Sequence, residues 1–251
     1  MYQIIKGTVI RGKTLGSKIG FPTANIDLDN KDIEDGTYKL NLIIDGNIYA
    51  GAGVYLKEKG LFEAHFFGFA SDIYGKEIEI VLLYKIRENK KFDSLEELKN
   101  QIQKDVDFAK SNTDYIVTFG TFDIVHPGHE FYLNNAKKYG DKLITIIARD
   151  GNVEKLKNTT PLHDELTRLE NIKKLGVSDI VLLGDLDDPL KVIKQYKPKV
   201  VCLGYDQVGF IELLNKYIKE NNLETHIIRL SPYKENIYKS SILKQKRDLK
   251  K

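Results

Sequence analysis

Apolar and polar residues alternate along the first part of the chain with the two-residue period of β-strands. Segments rich in β-branched and aromatic residues are separated by turn signals, which predicts strands at 3–10, 38–44, 48–54, 61–69 and 77–86. Asp45-Gly46-Asn47 lies between two of these segments and is a hairpin signal. Five or six short strands with little helix between them favour a small antiparallel barrel.

The pattern changes to a helical period at Ser94, where Glu97 completes a capping-box spacing. From Tyr115 onwards, strand-like segments alternate with helical ones, of which 130–139 is the first; the segments are 115–119, 142–148, 179–183, 200–203 and 225–230. Strands that are apolar on both sides and alternate with helices predict a doubly wound parallel sheet. We therefore expect two domains, 1–111 and 112–251, joined near residues 111–114.

Composition restricts the class of protein. The 251 residues are 41% hydrophobic and 30% charged, which is typical of a globular chain. An apolar run of roughly 18 residues is absent, and the N-terminus lacks an apolar core followed by a cleavage site, so we expect neither a membrane span nor a secretory signal. A single cysteine, Cys202, excludes a disulfide framework. A cytoplasmic, soluble protein is the resulting expectation.

The net charge of +3 is too small to indicate nucleic-acid binding. The basic excess lies in the last thirteen residues, where a frayed, solvated helix explains it as well. We therefore expect small-molecule partners, with neither nucleic acid nor membrane. The sequence does not determine the oligomeric state.

The segment from Gly7 to Thr14 matches the phosphate-loop pattern G-x-x-x-x-G-K-T. That loop needs a strand before it and a helix after it. Here the residues inside the pattern are themselves strand-like, and the following segment, 15–22, contains two glycines and a proline. We reject this interpretation.

The glycines of the same region continue into a second pattern, which ends at Pro22-Thr23-Ala24-Asn25. Glycines let backbone amides approach an anionic ligand closely. The oxygens of Thr23 and Asn25 suit Mg²⁺, which is a hard cation. The alternative is a glycine-rich turn between barrel strands, capped by the threonine and the asparagine.

Glu63 lies within the apolar strand 61–67, where a buried carboxylate is costly. A carboxylate beside an attacking hydroxyl can act as a general base. Glu63 also shares a face with His65 and Phe67, however, and this face can equally be the solvent side of a half-buried strand. The pattern alone leaves both interpretations open.

Several separated segments resemble the riboflavin kinase family over about residues 3–110: Gly20-Phe21-Pro22-Thr23-Ala24-Asn25, Phe62-Glu63-Ala64-His65, Asp72-Ile73-Tyr74-Gly75-Lys76, Ile86-Arg87-Glu88 and Lys91-Phe92-Asp93-Ser94-Leu95. The resemblance implies a six-stranded barrel that transfers the ATP γ-phosphoryl group to the ribityl 5′-hydroxyl of riboflavin. It implies that Thr23 and Asn25 bind Mg-ATP and that Glu63 is the catalytic base. The implied ATP-binding segment also contains Gly12, Gly16, Lys18, Gly20 and Pro22.

The chain departs from the family pattern at two places. Lys18 stands where arginine is common, which removes bidentate phosphate geometry but keeps the charge. The segment 51–60 is shorter than its counterpart in the family.

His126-Pro127-Gly128-His129 lies between a predicted strand and a predicted helix. Parallel sheets present ligands at the carboxyl ends of their strands. Two histidines three residues apart at the start of a helix can both point at phosphates and stabilise the charge of a departing pyrophosphate. A zinc site would need a third ligand, for which only His163 is a candidate.

This segment resembles the nucleotidyltransferases of the cytidylyltransferase type. Further segments are similar to the archaeal stand-alone FAD synthases over about residues 114–245: Ala148-Arg149-Asp150, Leu203-Gly204-Tyr205-Asp206-Gln207, Ser231-Pro232-Tyr233-Lys234 and Ser240-Ser241-Ile242. The resemblance implies that Thr121 and Phe122 line the ATP site and that His126 and His129 hold the phosphates. It also implies nucleotide contacts from Asp206, Tyr233, Ser240 and Ser241, although Asp206 can equally be a turn residue after a strand.

Taken together, the resemblances imply consecutive reactions with Mg²⁺ as the cofactor. Riboflavin and ATP would give FMN, and FMN with a second ATP would give FAD and pyrophosphate. One alternative is a kinase fused to a cytidylyltransferase that acts on a phosphorylated alcohol such as glycerol phosphate. Another is a flavin-sensing regulator with a degenerate barrel, which the shortened segment 51–60 would favour.

Overall fold

The computed structural model describes residues 2–12, 16, 19–28 and 32–238, except the side chains of residues 156 and 157. Lys18, Ser240 and Ser241, to which the sequence assigns binding roles, lie outside the described residues. The chain divides into two compact units, Met1–Thr113 and Asp114–Lys251. We call these the N-terminal unit and the C-terminal unit.

The N-terminal unit is a closed antiparallel barrel, as predicted, in the strand order β1-β2-β5-β4-β3-β6. Its strands are β1 (Gln3–Ile10), β2 (Ala24–Leu28), β3 (Gly36–Ile44), β4 (Asn47–Leu56), β5 (Leu61–Phe66) and β6 (Glu77–Arg87). β1 ends at Ile10, in the middle of the apparent phosphate-loop pattern at 7–14. The first half of that pattern is therefore a strand. Alternate residues, among them Ile26, Leu40 and Phe62, fill the barrel interior and are completely buried.

Two elements of the barrel differ from the predictions. The sequence analysis assigned no strand to Ala24–Leu28. Only Ile26 and Leu28 of this strand are buried in the barrel, which is too short an alternation to predict a strand, and the glycines and proline before it indicate a loop. The β3–β4 turn is two residues long, because Asp45 and Gly46 both take positive φ angles and Asn47 already pairs with Ile44.

Helix α1 (Leu95–Ser111) follows the barrel and starts at the predicted cap. The side-chain oxygen of Ser94 accepts a hydrogen bond from the Glu97 amide at 3.2 Å. A partly buried ion pair joins the helix to β6, since Arg87 binds the buried carboxylate of Asp105 through two nitrogens at 2.9 and 2.7 Å. A paired, hydrogen-bonded carboxylate of this kind can be buried at acceptable cost.

The C-terminal unit contains a parallel sheet in the order β11-β10-β7-β8-β9, which confirms the predicted architecture. Its strands are β7 (Tyr115–Gly120), β8 (Lys142–Ile147), β9 (Ile180–Leu183), β10 (Val200–Leu203) and β11 (His226–Arg229). Its helices are α2 (Pro127–Lys137), α3 (Asp150–Lys157), α4 (Glu165–Leu175), α5 (Lys191–Tyr196) and α6 (Ile211–Glu220). The strand order reverses between β7 and β10, which places a ligand crevice at their carboxyl ends.

Helix α2 begins at Pro127, three residues before the predicted start. Proline is favoured at the first position of a helix, because its ring fixes a helical φ and the amide hydrogen it lacks has no partner there. As a result, His126 is the N-cap and His129 lies in the first turn. Within the part of the chain that the structure describes, no helix is long and apolar enough to cross a membrane.

Candidate active sites

Strand register brings Asn25 and Glu63 together on the outside of the barrel. β2 and β5 pair antiparallel with these two residues directly opposite each other. Phe62 and Ala64 point into the barrel and are completely buried, so Glu63 lies on the outer face, where it is half-buried. Directly opposite residues of an antiparallel pair project their side chains to the same side, with their Cα atoms roughly 4.5–5.5 Å apart.

The glycine-rich segment packs against the same place. A Cβ atom at Gly12 would overlap the side-chain amide of Asn25, and one at Gly16 would lie 2.7 Å from the Thr23 hydroxyl. The chain also folds back, because the Phe21 amide donates to the Gly16 carbonyl at 2.8 Å. The structure therefore brings Gly12, Gly16, Thr23 and Asn25 together, and only glycine permits this approach at the first two positions.

His65 is a member of this site that the sequence analysis did not assign. Its Nδ1 lies 2.8 Å from the carbonyl oxygen of Pro22, and it donates the hydrogen because a carbonyl only accepts. Its ring also packs edge-on against Phe21 at 5.7 Å between centroids. His65 thus anchors the turn that carries Thr23.

In the C-terminal unit a pocket of about 450 Å³ opens at the carboxyl ends of β7 and β10. The lining residues are Phe119, Gly120, Thr121, Phe122, Asp123, His126, Gly128, His129, Tyr132, Val153, Thr159, Pro161, Gly204, Tyr205, Asp206, Gln207, Leu230, Ser231, Pro232, Tyr233, Glu235 and Tyr238. The set includes all the described residues to which the sequence assigns nucleotide contacts in this unit, apart from Pro127, which begins α2.

His126 is held in one orientation by the start of α2. Its Nδ1 accepts a hydrogen bond from the Gly128 amide at 3.1 Å. The neutral ring therefore carries its hydrogen on Nε2, from which it can donate to a ligand. Burial lowers the pKa of His126, so the ring is neutral at neutral pH. His129 stacks on it, with the ring centroids 3.9 Å apart.

A residue with a strained backbone also packs against His129. Phe122 has a φ of +52° and is only 3% exposed, and its ring packs against His129 at 5.1 Å between centroids. A Cβ atom at Gly120 would lie 2.6 Å from the tip of the Phe122 ring. A positive φ at a bulky residue persists only where the surroundings hold it, here with Gly120 leaving the space.

Gln207 connects the two strands that border the pocket. Its side-chain oxygen accepts from the Gly204 amide at 2.7 Å, and its side-chain nitrogen donates to the Phe119 carbonyl at 2.6 Å. The sequence analysis placed Gln207 in a family motif without giving it a role. A side-chain amide is suited to this position because it donates and accepts at once.

His163, the candidate third zinc ligand, is engaged elsewhere. Its Nδ1 lies 2.7 Å from the carbonyl oxygen of Asp123, to which it donates. The Asp123 carboxylate in turn accepts from the amides of Leu162 and His163 at 2.9 Å each. In the described residues no group of three or more His, Cys, Asp or Glu side chains is arranged to hold a metal ion.

Comparison with known proteins gives a family match for each of the two units. Residues 2–113 match the riboflavin kinase family model, and residues 117–246 match the cytidylyltransferase-like family model. A FAD synthase of Methanohalophilus mahii is 40% identical over 115 residues, which cover 46% of this chain and 80% of that protein. A FAD synthase of Thermoplasma acidophilum is 34% identical over 131 residues, which cover 52% of this chain and 92% of that protein.

The chain belongs to the FAD synthase family. Its C-terminal unit is the cytidylyltransferase-like domain, to which a riboflavin kinase domain is joined on the N-terminal side. This confirms the two resemblances that the motifs indicated.

We predict that the ring signals of His126 in NMR spectra titrate with a midpoint below the ordinary value of 6.5. Because the folded-state pKa is lowered, the unfolded chain binds this proton more readily. The contribution of His126 to stability is therefore complete above about pH 6.5 and is lost as the pH falls below that value.

The signal is assigned by its absence from the His126→Gln variant. A midpoint at or above 6.5 would contradict the burial of this ring.

Proposed function

We propose that this chain catalyses two successive reactions of FAD synthesis. The N-terminal unit transfers the γ-phosphoryl group of ATP to the 5′-hydroxyl of riboflavin, and the C-terminal unit transfers the adenylyl group of a second ATP to FMN. The observation that carries this proposal is the pair of stacked histidines at the crevice between β7 and β10, in a chain that also carries a riboflavin kinase domain.

Phosphoryl transfer to riboflavin needs a base, because a hydroxyl must lose its proton as it attacks. Glu63 takes this proton while the hydroxyl oxygen bonds to the γ-phosphorus and the bond to the bridging oxygen of ADP breaks. Thr23 and Asn25 hold the ATP phosphates, and their oxygens suit Mg²⁺. When bound there, Mg²⁺ would neutralise the phosphate charge. The proximity of Asn25 to Glu63 across the β2–β5 pair supports these roles.

Adenylyl transfer to FMN has a different requirement. The attacking phosphate oxygen of FMN is already ionised at neutral pH, so no base is needed. An oxygen of the FMN phosphate bonds to the α-phosphorus of ATP. The bond between the α-phosphorus and the bridging oxygen of pyrophosphate breaks at the same time. Charge stabilisation on these oxygens is the main task. A neutral His126 that donates from Nε2, with His129 beside it at the start of α2, meets that requirement.

The loops after β10 and β11 supply candidate contacts for the nucleotide base. Asp206 and Tyr233 line the same pocket as the histidines, and we assign to them the contacts to adenine. Tyr233 is part of an aromatic stack, with Phe131 at 4.9 Å and Tyr238 at 5.9 Å between ring centroids. Such parallel rings favour a planar heteroaromatic ligand.

We expect Glu63→Gln to lower the rate of FMN formation from riboflavin by roughly 10²–10⁴-fold, which is the contribution typical of a general base. FAD formation from supplied FMN should continue at the wild-type rate. Both rates are measured by chromatography of the flavin products in the full chain. Glu58→Gln, which removes an exposed carboxylate in the turn before β5, is the matched control.

Equal loss of both reactions in Glu63→Gln would contradict the assignment. Failure of the wild-type chain to form FMN would instead favour the flavin-sensing alternative.

His129→Ala should give the reciprocal result. FMN accumulates from riboflavin, and its conversion to FAD falls by about 10²–10³-fold, as on removal of a donor that stabilises developing charge. His126→Ala should behave alike. His226→Ala, at the exposed start of β11, serves as the control and should keep both rates. Undiminished FAD synthesis in both pocket variants would exclude the proposed role.

The choice of nucleotide and acceptor tests the proposal against the cytidylyltransferase alternative. We expect product from ATP with FMN and none from CTP with glycerol phosphate. Adenine and cytosine present different hydrogen-bonding edges, and a site built for one leaves polar groups unpaired with the other. Labelled ATP and CTP are each incubated with each acceptor. Product only from CTP and glycerol phosphate would overturn the adenylyl-transfer half and leave the kinase half intact.

A further inference from the structure

Arg168, on helix α4, is completely buried. An ionised guanidinium is very costly to bury unless its donors are hydrogen-bonded and its charge is paired. Arg168 meets both conditions, as its Nη2 lies 2.6 Å from a carboxylate oxygen of Asp150. Three of its other N–H groups donate to the backbone.

Three carbonyl oxygens on three separate segments accept from this one side chain. Nε donates to His163 at 3.0 Å, Nη1 to Thr121 at 2.5 Å and Nη2 to Ala148 at 2.8 Å. Thr121 follows β7, Ala148 follows β8 and His163 precedes α4. The guanidinium therefore ties together the chain segments at the carboxyl ends of two neighbouring strands.

Arg168 does not line the pocket itself, but it binds the carbonyl of Thr121, which does. Thr121 precedes Phe122, whose strained backbone and ring support His129. His163 binds the carbonyl of Asp123 on the same loop. Displacement of the Thr121 carbonyl would thus move Phe122 and with it His129.

We propose that Arg168 is a positioning residue for adenylyl transfer: its guanidinium holds the loop after β7 so that Phe122 keeps His129 in place. This inference rests on the proposed function of the C-terminal unit. Lysine cannot replace arginine here, since a single ammonium nitrogen lacks the planar fork that reaches three carbonyls in different directions.

The test compares the wild-type full chain with Arg168→Lys, which keeps the charge and removes the fork. We expect kcat for FAD formation from FMN to fall by about 10²-fold, the effect of a displacement of roughly 1 Å at a reacting group, with a much smaller change in KM for ATP. The His129 ring signals in NMR spectra should shift, while FMN formation by the N-terminal unit keeps the wild-type rate.

Arg149→Lys is the matched control. Arg149 neighbours the same segment, but its guanidinium pairs with Glu165 at 2.8 Å, and we expect this variant to keep both the kcat and the His129 signals of the wild type. Thermal unfolding establishes that each variant is folded at the assay temperature.

The outcomes separate the inference from the proposed function. A folded Arg168→Lys chain with wild-type kcat, or with a raised KM alone, overturns the positioning role. If the wild-type chain forms no FAD, the proposed function fails, and unchanged His129 signals in Arg168→Lys would then overturn the inference independently. If Arg168→Lys and Arg168→Gln both fail to fold, Arg168 is a folding requirement and the positioning role is withdrawn.

Discussion

Backbone hydrogen bonding between strands is the constraint on which both candidate sites depend. In the barrel, the antiparallel register of β2 and β5 sets Asn25 opposite Glu63. In the C-terminal unit, parallel pairing aligns the ends of β7, β8 and β10, so that the loops that follow them meet at one edge. A register slip of one residue would turn Glu63 into the barrel and Phe62 out of it. Because Phe62 and Ala64 must stay buried, they also keep the Glu63 carboxylate on the outer face.

In the proposed reactions the two units handle charge in different ways, because their nucleophiles differ. The hydroxyl of riboflavin must lose a proton, and we assign this proton to Glu63 on the half-buried outer face of the barrel. The phosphate of FMN is already ionised, and in the proposed reaction the second pocket presents to it the Nε2–H group of a neutral His126 at the start of a helix. The hydrogen bond from the Gly128 amide to His126 Nδ1 makes this possible, because it leaves the hydrogen on Nε2. The lowered pKa of His126 keeps that arrangement in place at neutral pH.

Side chains to which we assign no ligand contact fix the backbone around both sites. Gln207 joins the ends of β7 and β10, and Arg168 joins the loops after β7 and β8. His65 does the equivalent for the turn before β2. Each of them donates to at least one backbone carbonyl beside a candidate site. Precise geometry at a reacting centre depends on such contacts as much as on the groups that touch the substrate.

The sequence by itself determined the local features of this protein: the change from a strand period to strand–helix alternation, the cap of α1, and the spacing that puts His126 and His129 at the start of one helix. These depend on residues a few positions apart, where backbone geometry fixes the relation between side chains. Only the tertiary structure decided the strand at Ala24–Leu28, the pairing of Asn25 with Glu63 and the burial of Arg168. A short strand is held by its neighbours more than by its own pattern, and an arginine in a polar helix has the same sequence pattern whether its side chain faces solvent or three carbonyls. Contacts between distant segments require strand order and register, which single-residue propensities do not encode.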